Sequence, residues 1–201
     1  MAAQAPKPGV GRWRTNVDSL RGHFLVASPH LPDPNFFRTV VLMVRHDESG
    51  ALGLVMNRYS RRTVKEIWEQ IDEGPCQSDL VIQLGGPIVG PLMAVHTDAS
   101  MAEDQIADGV FFATHKDFLC KLVAKANAPF RIFSGYAGWG SGQLENELRL
   151  GGWLMTPASK TDIFDLPDDV DLWKKVTGRI GGQILGSALD ISRFPDDPSA
   201  N

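Results

Sequence analysis

Apolar residues in this chain come in short runs, and almost every run is closed by Gly, Pro or a small polar residue. His23 to Ala27 stops at Ser28-Pro29, and three prolines at positions 29, 32 and 34 forbid regular hydrogen bonding just beyond it. Runs of this length between turn residues read as strands, with long helices excluded over the same stretches. Thr39 to Val44 and Leu52 to Met56 flank the turn-rich Asp47–Gly50 and predict an antiparallel hairpin. Their nearly unbroken apolar character predicts burial on both faces. Further strands are expected at Leu80–Leu84, Leu92–Thr97, Val110–Ala113, Phe130–Phe133, Trp153–Thr156 and Ile163–Phe164.

Helices are fewer. Thr63 and Glu66 have capping-box spacing, and Val64, Ile67, Trp68 and Ile71 follow at helical intervals, so a helix starts there and ends by Gly74-Pro75. A second is expected over Lys116–Ala126, with Phe118, Leu119, Leu122 and Val123 on one face. A short polar helix over Gln143–Leu150 and a last one over Val170–Ile180 complete the set. Strands and helices do not alternate as in a doubly wound sheet, so the expected class is α+β with a mixed, largely antiparallel sheet. Residues 1–19 and 194–201 read as flexible arms around a single domain at 20–193.

Composition removes several function classes. With a formal charge of -4 the chain has no overall attraction for phosphate backbones or anionic lipid. The basic group Arg58, Arg61, Arg62 and Lys65 is partly offset by Glu66 and Glu69 and reads as a solvated face. No partner helix precedes the basic helix as a helix-turn-helix requires, so direct DNA binding is not expected. Cys76 and Cys120 lack CxxC spacing, and no signal peptide or membrane-length apolar run is present, so a cytoplasmic location is expected.

No motif announces a reaction. The five histidines are scattered without HxH or HxxxH spacing, so no metal or other cofactor is expected. Neither Ser134 nor Ser141 has Gly at both the second preceding and the second following position, as a nucleophile elbow requires. The glycines at 138, 140 and 142 could present amides to an anion. Glu145 and Glu147 at the following helix start would repel it, and the plainer reading is a tight strand-to-helix turn packed by Tyr136 and Trp139. The remaining polar candidates are Asp33, Arg38, His46 and Asn57, joined by Tyr136, Trp139 and Gln143 if the glycine-rich segment folds over them. Arg38 and His46 are about eight residues apart at roughly 3.3 Å each, too far for one small ligand. Each also has a structural reading: Asp33 capping the proline loop, Arg38 pairing with a carboxylate, His46 bonding turn backbone, and Asn57 ending a strand.

Several stretches together resemble the AlgH/YqgE family of bacterial proteins. They are Phe24 to Pro29, Asp33-Pro34, Phe37 with Thr39-Val40, His46, Gly50 to Leu54 and Asn57. Gly85-Gly86-Pro87, Gly135 to Trp139, Gly142 to Leu144, Glu147 and Trp153 continue the match. Ser141 departs from it, since relatives commonly carry Pro there. The resemblance implies one α+β domain with a strongly curved sheet, a bacterial cytoplasmic origin and a historical label as a transcriptional regulator of alginate synthesis. It supplies no catalytic residues, cofactor or substrate. Two functions are therefore carried forward. One is a binding or regulatory protein, without turnover, whose partner is a small molecule or another protein held between the Gly85–Pro87 and Gly135–Gly142 loops. The other is a small hydrolase or transferase with His46 as general base, oriented by Asp33 or a glutamate within about 3 Å.

Overall fold

The computed structural model describes residues 19–71, 74, 76, 78–125, 128–165 and 170–189. Both expected arms, apart from Ser19, lie outside these residues, as do Pro75 and Ala126 at the expected ends of two helices. The chain runs β1 (His23–Ala27), β2 (Val40–Asp47), β3 (Gly50–Val55), β4 (Tyr59–Thr63), α1 (Val64–Ile71) and β5 (Val81–Leu84). It continues β6 (Ile88–His96), β7 (Asp104–Ala107), β8 (Val110–Ala113), α2 (Lys116–Lys125), β9 (Phe130–Gly140) and α3 (Gln143–Arg149). β10 (Trp153–Pro157), α4 (Lys160–Phe164) and α5 (Leu172–Leu189) complete it.

The strands form one sheet in the order β10-β1-β2-β3-β9-β6-β8-β7, with β5 beside β9 and β4 outside β5. Every described pairing is antiparallel except β5 with β9. The sheet curls into a half-barrel that brings its β7 end back to β2, where Asp104 receives both Arg45 Nε at 2.8 Å and Arg21 at 3.8 Å. The expected α+β class with a strongly curved, largely antiparallel sheet is the one observed.

Both faces are covered, which explains the unbroken apolar runs. In β1, Phe24 and Val26 point into the curl among Leu42, Phe112, Phe133 and Val176. Leu25 and Ala27, one residue out of phase, face outward onto Trp139, Leu144 and Trp153 under α3. A third cluster packs Val64 and Trp68 of α1 and Leu119, Leu122 and Val123 of α2 on the sheet's other outer region. The capping box is present: Glu66 N–H donates to Thr63 Oγ1 at 3.2 Å, and Thr63 N–H to Glu66 Oε2 at 2.8 Å.

Three expectations change. The glycine-rich segment is no loop: Gly135 to Gly140 is the second half of β9, and Ala137 to Gly140 pair with Gly53 to Gly50 of β3. Ile163 and Phe164 belong to a helix, because Ser159 caps it by accepting the Asp162 N–H at 2.9 Å. The strands β4 and β7 were not foreseen, since their polar sequences YSRRT and DQIA are those of edge strands that must resist further pairing.

Where the chain leaves β5 it crosses β9 at backbone contact. A Cβ on Gly86 (φ 155°) would lie 2.2 Å from the Tyr136 carbonyl carbon, and one on Gly85 equally close to the Gly135 oxygen. We expect Gly86→Ala to lower the unfolding free energy by about 3 kcal/mol or more in urea denaturation. Gly142→Ala, at φ 70° but with nothing within 4 Å, should cost about 1–2 kcal/mol.

Candidate functional site

Two polar constellations stand out, and they behave differently. The first centres on α3. Glu147 Oε2 accepts the indole N–H of Trp139 at 3.0 Å and that of Trp153 at 2.8 Å, while Oε1 accepts from Gln143 Nε2 at 3.0 Å. Gln143 Oε1 in turn accepts the Gly140 N–H at 3.1 Å. Phe36 stacks on Trp139 and meets Trp153 edge-on, and the 3-10 turn that carries it is capped by Asp33, whose Oδ1 accepts the Asn35 N–H at 2.8 Å. Burying the two indoles contributes roughly 4–6 kcal/mol each. This hub ties β9, β10 and α3 together.

His46 joins it from β2. Leu20 N–H donates to His46 Nδ1 at 3.0 Å, so in the neutral ring the proton sits on Nε2, which donates to Glu145 Oε1 at 2.8 Å. The glutamate meets the distance that acid–base chemistry asks of an orienting group. The nitrogen that would have to face a substrate, however, faces the Leu20 amide. His46 is thus a clip between the segment before β1 and α3. Glu145 is held below the usual carboxylate range, first by its own backbone N–H and then by His46.

The other sequence candidates are placed apart from the hub. Arg38 has φ 54°, alone among the described non-glycine residues in that region, and its guanidinium lies 4.9 Å over the Trp173 ring where a carboxylate partner was expected. Asn57 locks that turn, donating to the Arg38 carbonyl at 2.8 Å and accepting the Val40 N–H at 3.0 Å. Tyr136 packs against the inner core beneath Gly90 and Gly138. Gly85 and Gly86 touch Gly135 to Ala137 backbone to backbone, so the two segments leave no space between them there.

The second constellation is a groove. Two hollows of about 190 and 250 Å³ share Tyr59 and Arg131 in their walls. Asn57, Asp162 and Asp171 line the first, and Asp79 and Val81 the second. Arg131 alternates with Phe130 and Ile132 on β9, which places it on the inner face beside the fully buried Phe133. Its Nε donates to the Ile163 carbonyl of α4. Its terminal nitrogens, the Tyr59 hydroxyl and the Asp79 carboxylate have no hydrogen-bond or ion-pair partner among the described residues.

Asp162, 2% exposed, cannot answer Arg131, because Lys175 at 2.8 Å and Arg179 at 2.5 Å of α5 occupy its oxygens. Burial alone would raise its pKa, but hydrogen bonds from Lys175, Ser159 and Arg179 outweigh this and hold the carboxyl below the usual range. Among the described residues no three His, Cys, Asp or Glu side chains converge as metal ligands. No helix among these residues is long and apolar enough to cross a membrane.

Sequence reasoning missed Tyr59, Arg131, Asp79 and Asp162. One signal was available for Arg131: a lone cation inside Phe130 to Phe133, a run otherwise apolar on both faces.

Comparison with known proteins gives one consistent family. The AlgH-like family model matches residues 24–185. A UPF0301 protein of Streptomyces avermitilis is 36% identical over 195 residues, covering 93% of this chain and 98% of its own. A UPF0301 protein of Stenotrophomonas maltophilia is 37% identical over 187 residues, covering 89% and 94%. Among solved structures, the AlgH protein of Pseudomonas aeruginosa superposes with a TM-score of 0.69 at 32% identity, covering 90% of this chain and 93% of its own. A Corynebacterium diphtheriae protein shares the fold, with a TM-score of 0.63 at 23% identity and coverage of 89% and 90%.

Two measurements check the polar analysis. Glu147→Ala strands two buried indole N–H groups and should cost about 2–4 kcal/mol in urea denaturation, against less than about 0.5 for Leu150→Ala at an exposed position. The depressed Asp162 pKa stabilises the fold above the unfolded-state value, and that stability is lost as pH falls through the folded-state value. Asp162→Asn should therefore be less stable at pH 7 and lose less stability than the parent on acidification below about pH 4.

Proposed function

The chain belongs to the AlgH-like family, and we propose that it works as a binding protein that holds its ligand in the Tyr59–Arg131 groove without turning it over. The observation that carries this reading is the set of uncommitted polar groups there. A guanidinium, a phenol hydroxyl and a carboxylate face hollows while lacking partners of their own among the described residues. Arg131 is half-buried, the Tyr59 hydroxyl and the Asp79 carboxylate lie at the exposed rim, and a few polar groups converging on a concavity are the usual means of orienting a ligand.

The catalytic alternative loses its base, since both nitrogens of His46 are committed to Leu20 and Glu145. Direct DNA contact forms no part of the reading. The arginines Arg61 and Arg62 lie on the edge strand β4, and α1 follows a strand and leads to another, without a second helix to set it in a groove of DNA. A cytoplasmic setting accords with the two cysteines, Cys76 and Cys120, both free thiols.

Thermal-shift screening of the full chain with metabolites and short peptides tests the proposal. A binding compound at a hundred times its Kd stabilises by about 2.7 kcal/mol, enough to read clearly. The compound should be recovered unchanged after prolonged incubation, and its effect should vanish in Tyr59→Ala and Arg131→Met. A compound that is consumed, or whose effect survives both substitutions, removes the proposal.

A further inference from the structure

We infer that Arg131 anchors a carboxylate in this groove, and that the ligand carries a cationic or N–H donor group beside that carboxylate, as an amino acid or the C-terminal residue of a peptide does. The inference rests on the binding reading above and names its ligand class.

The geometry of Arg131 comes first. Its Nε is fixed on the Ile163 carbonyl, which sets the plane of the guanidinium and leaves the two terminal nitrogens as a fork. Such a fork matches the two oxygens of a planar anion by paired hydrogen bonds. Asp162, which lines the first hollow with it, is already paired with Lys175 and Arg179. A positive fork at the mouth of an apolar interior, with no paired counter-ion among the described residues, suits an external one.

Charge decides which anion. Asp79 lines one hollow and Asp171 the other, and only Asp171 is partly answered, by Lys174 at 3.8 Å. A dianionic phosphate on Arg131 would meet repulsion from both sides. A monoanionic carboxylate meets less, and a neighbouring ammonium or N–H group turns the flanking acids into partners. Size points the same way. Each hollow alone is below the roughly 300 Å³ of a usual ligand site, so the ligand is small or passes Arg131 from one hollow to the other. The Tyr59 ring, shared by both, supplies an apolar wall with a polar tip.

The test is a titration of the isotope-labelled full chain followed by amide NMR. The probes are L-alanine, N-acetyl-Ala-Ala with a free C-terminus, the same dipeptide as its C-terminal amide, and inorganic phosphate. Alanine or the free-acid dipeptide should shift the amides of Tyr59, Val81 and Arg131, with binding weakened about tenfold or more in the amide and in phosphate. Tighter binding of alanine identifies a free amino acid as the source of the carboxylate, and tighter binding of the dipeptide a peptide terminus.

Arg131→Lys keeps the charge but loses the fork, and should weaken the acid about tenfold with the melting temperature little changed. Asp79→Asn, which leaves the fold's hydrogen bonds intact, should weaken alanine and strengthen phosphate. Groove shifts produced by the amide as readily as by the acid overturn the inference, as does indifference to Arg131→Lys. Absence of groove shifts at millimolar probe overturns it too. The binding reading itself falls only if a compound found by thermal shift is consumed or keeps its effect in both Tyr59→Ala and Arg131→Met, so the two failures are separate.

Discussion

Two indole N–H groups on one carboxylate are the junction on which this half-barrel depends. Trp139 lies near the end of the central strand β9, Trp153 starts the edge strand β10 of the same sheet, and Glu147 on the intervening helix receives both. A curled sheet exposes its convex side, and here that side carries Leu25, Ala27, Val41 and Met43, which must be covered. The helix α3 is only seven residues long and too short to be stable on its own. Its anchorage comes from the buried indoles, from Leu144, and from the pair of His46 with Glu145. An acid inside this aromatic cluster is tolerable because its oxygens accept hydrogen bonds from Trp139, Trp153 and Gln143.

The same economy appears on the concave side. There α4 and α5 close the inner core, and Asp162 fastens one to the other through Lys175 and Arg179. The fastening has a consequence for Arg131. Were Asp162 unpaired, it would be a ready internal counter-ion at the first hollow, and the groove would hold a structural ion pair. With the carboxylate taken by α5, the guanidinium keeps a single backbone bond and two open nitrogens. The stability of one helix contact thereby leaves a polar group available beside it.

Much of the architecture was legible in the sequence, for reasons that can be traced to particular residues. The hairpin of β2 and β3, the capping box of Thr63 and Glu66, and the amphipathic α2 all follow local rules, and tertiary packing agreed with them. The failures share a different cause. The run from Gly135 to Gly140 reads as a loop because glycine disfavours strands, yet Gly135 lets β9 pass the β5–β6 connection at backbone contact, and Gly50 of β3 does the same against Trp139. The polar β4 and β7 carry the composition of turns because edge strands avoid further pairing. Ile163 and Phe164 are apolar and short like a strand, and only the Ser159 cap, reading forward three residues, distinguishes the helix.

The candidate site was less legible, and the reason is instructive. Side chains that look chemical in a sequence, a histidine near acids or an asparagine and arginine around a proline loop, proved to be those whose hydrogen-bonding capacity the fold itself uses. His46 has both ring nitrogens engaged, and Asn57 holds the left-handed turn at Arg38. Arg131 and Tyr59 drew no attention, because an arginine in a strand and a tyrosine after a turn are ordinary in sequence. What sets them apart is visible only in three dimensions: they border open hollows and, among the described residues, their polar tips have no partner. A fold of this size satisfies nearly all of its inward polar groups. Arg131 is the inward one of these groups, half-buried beside Phe133 with a single backbone bond, whereas Tyr59 and Asp79 reach solvent at the rim, and no local sequence rule distinguishes the two situations.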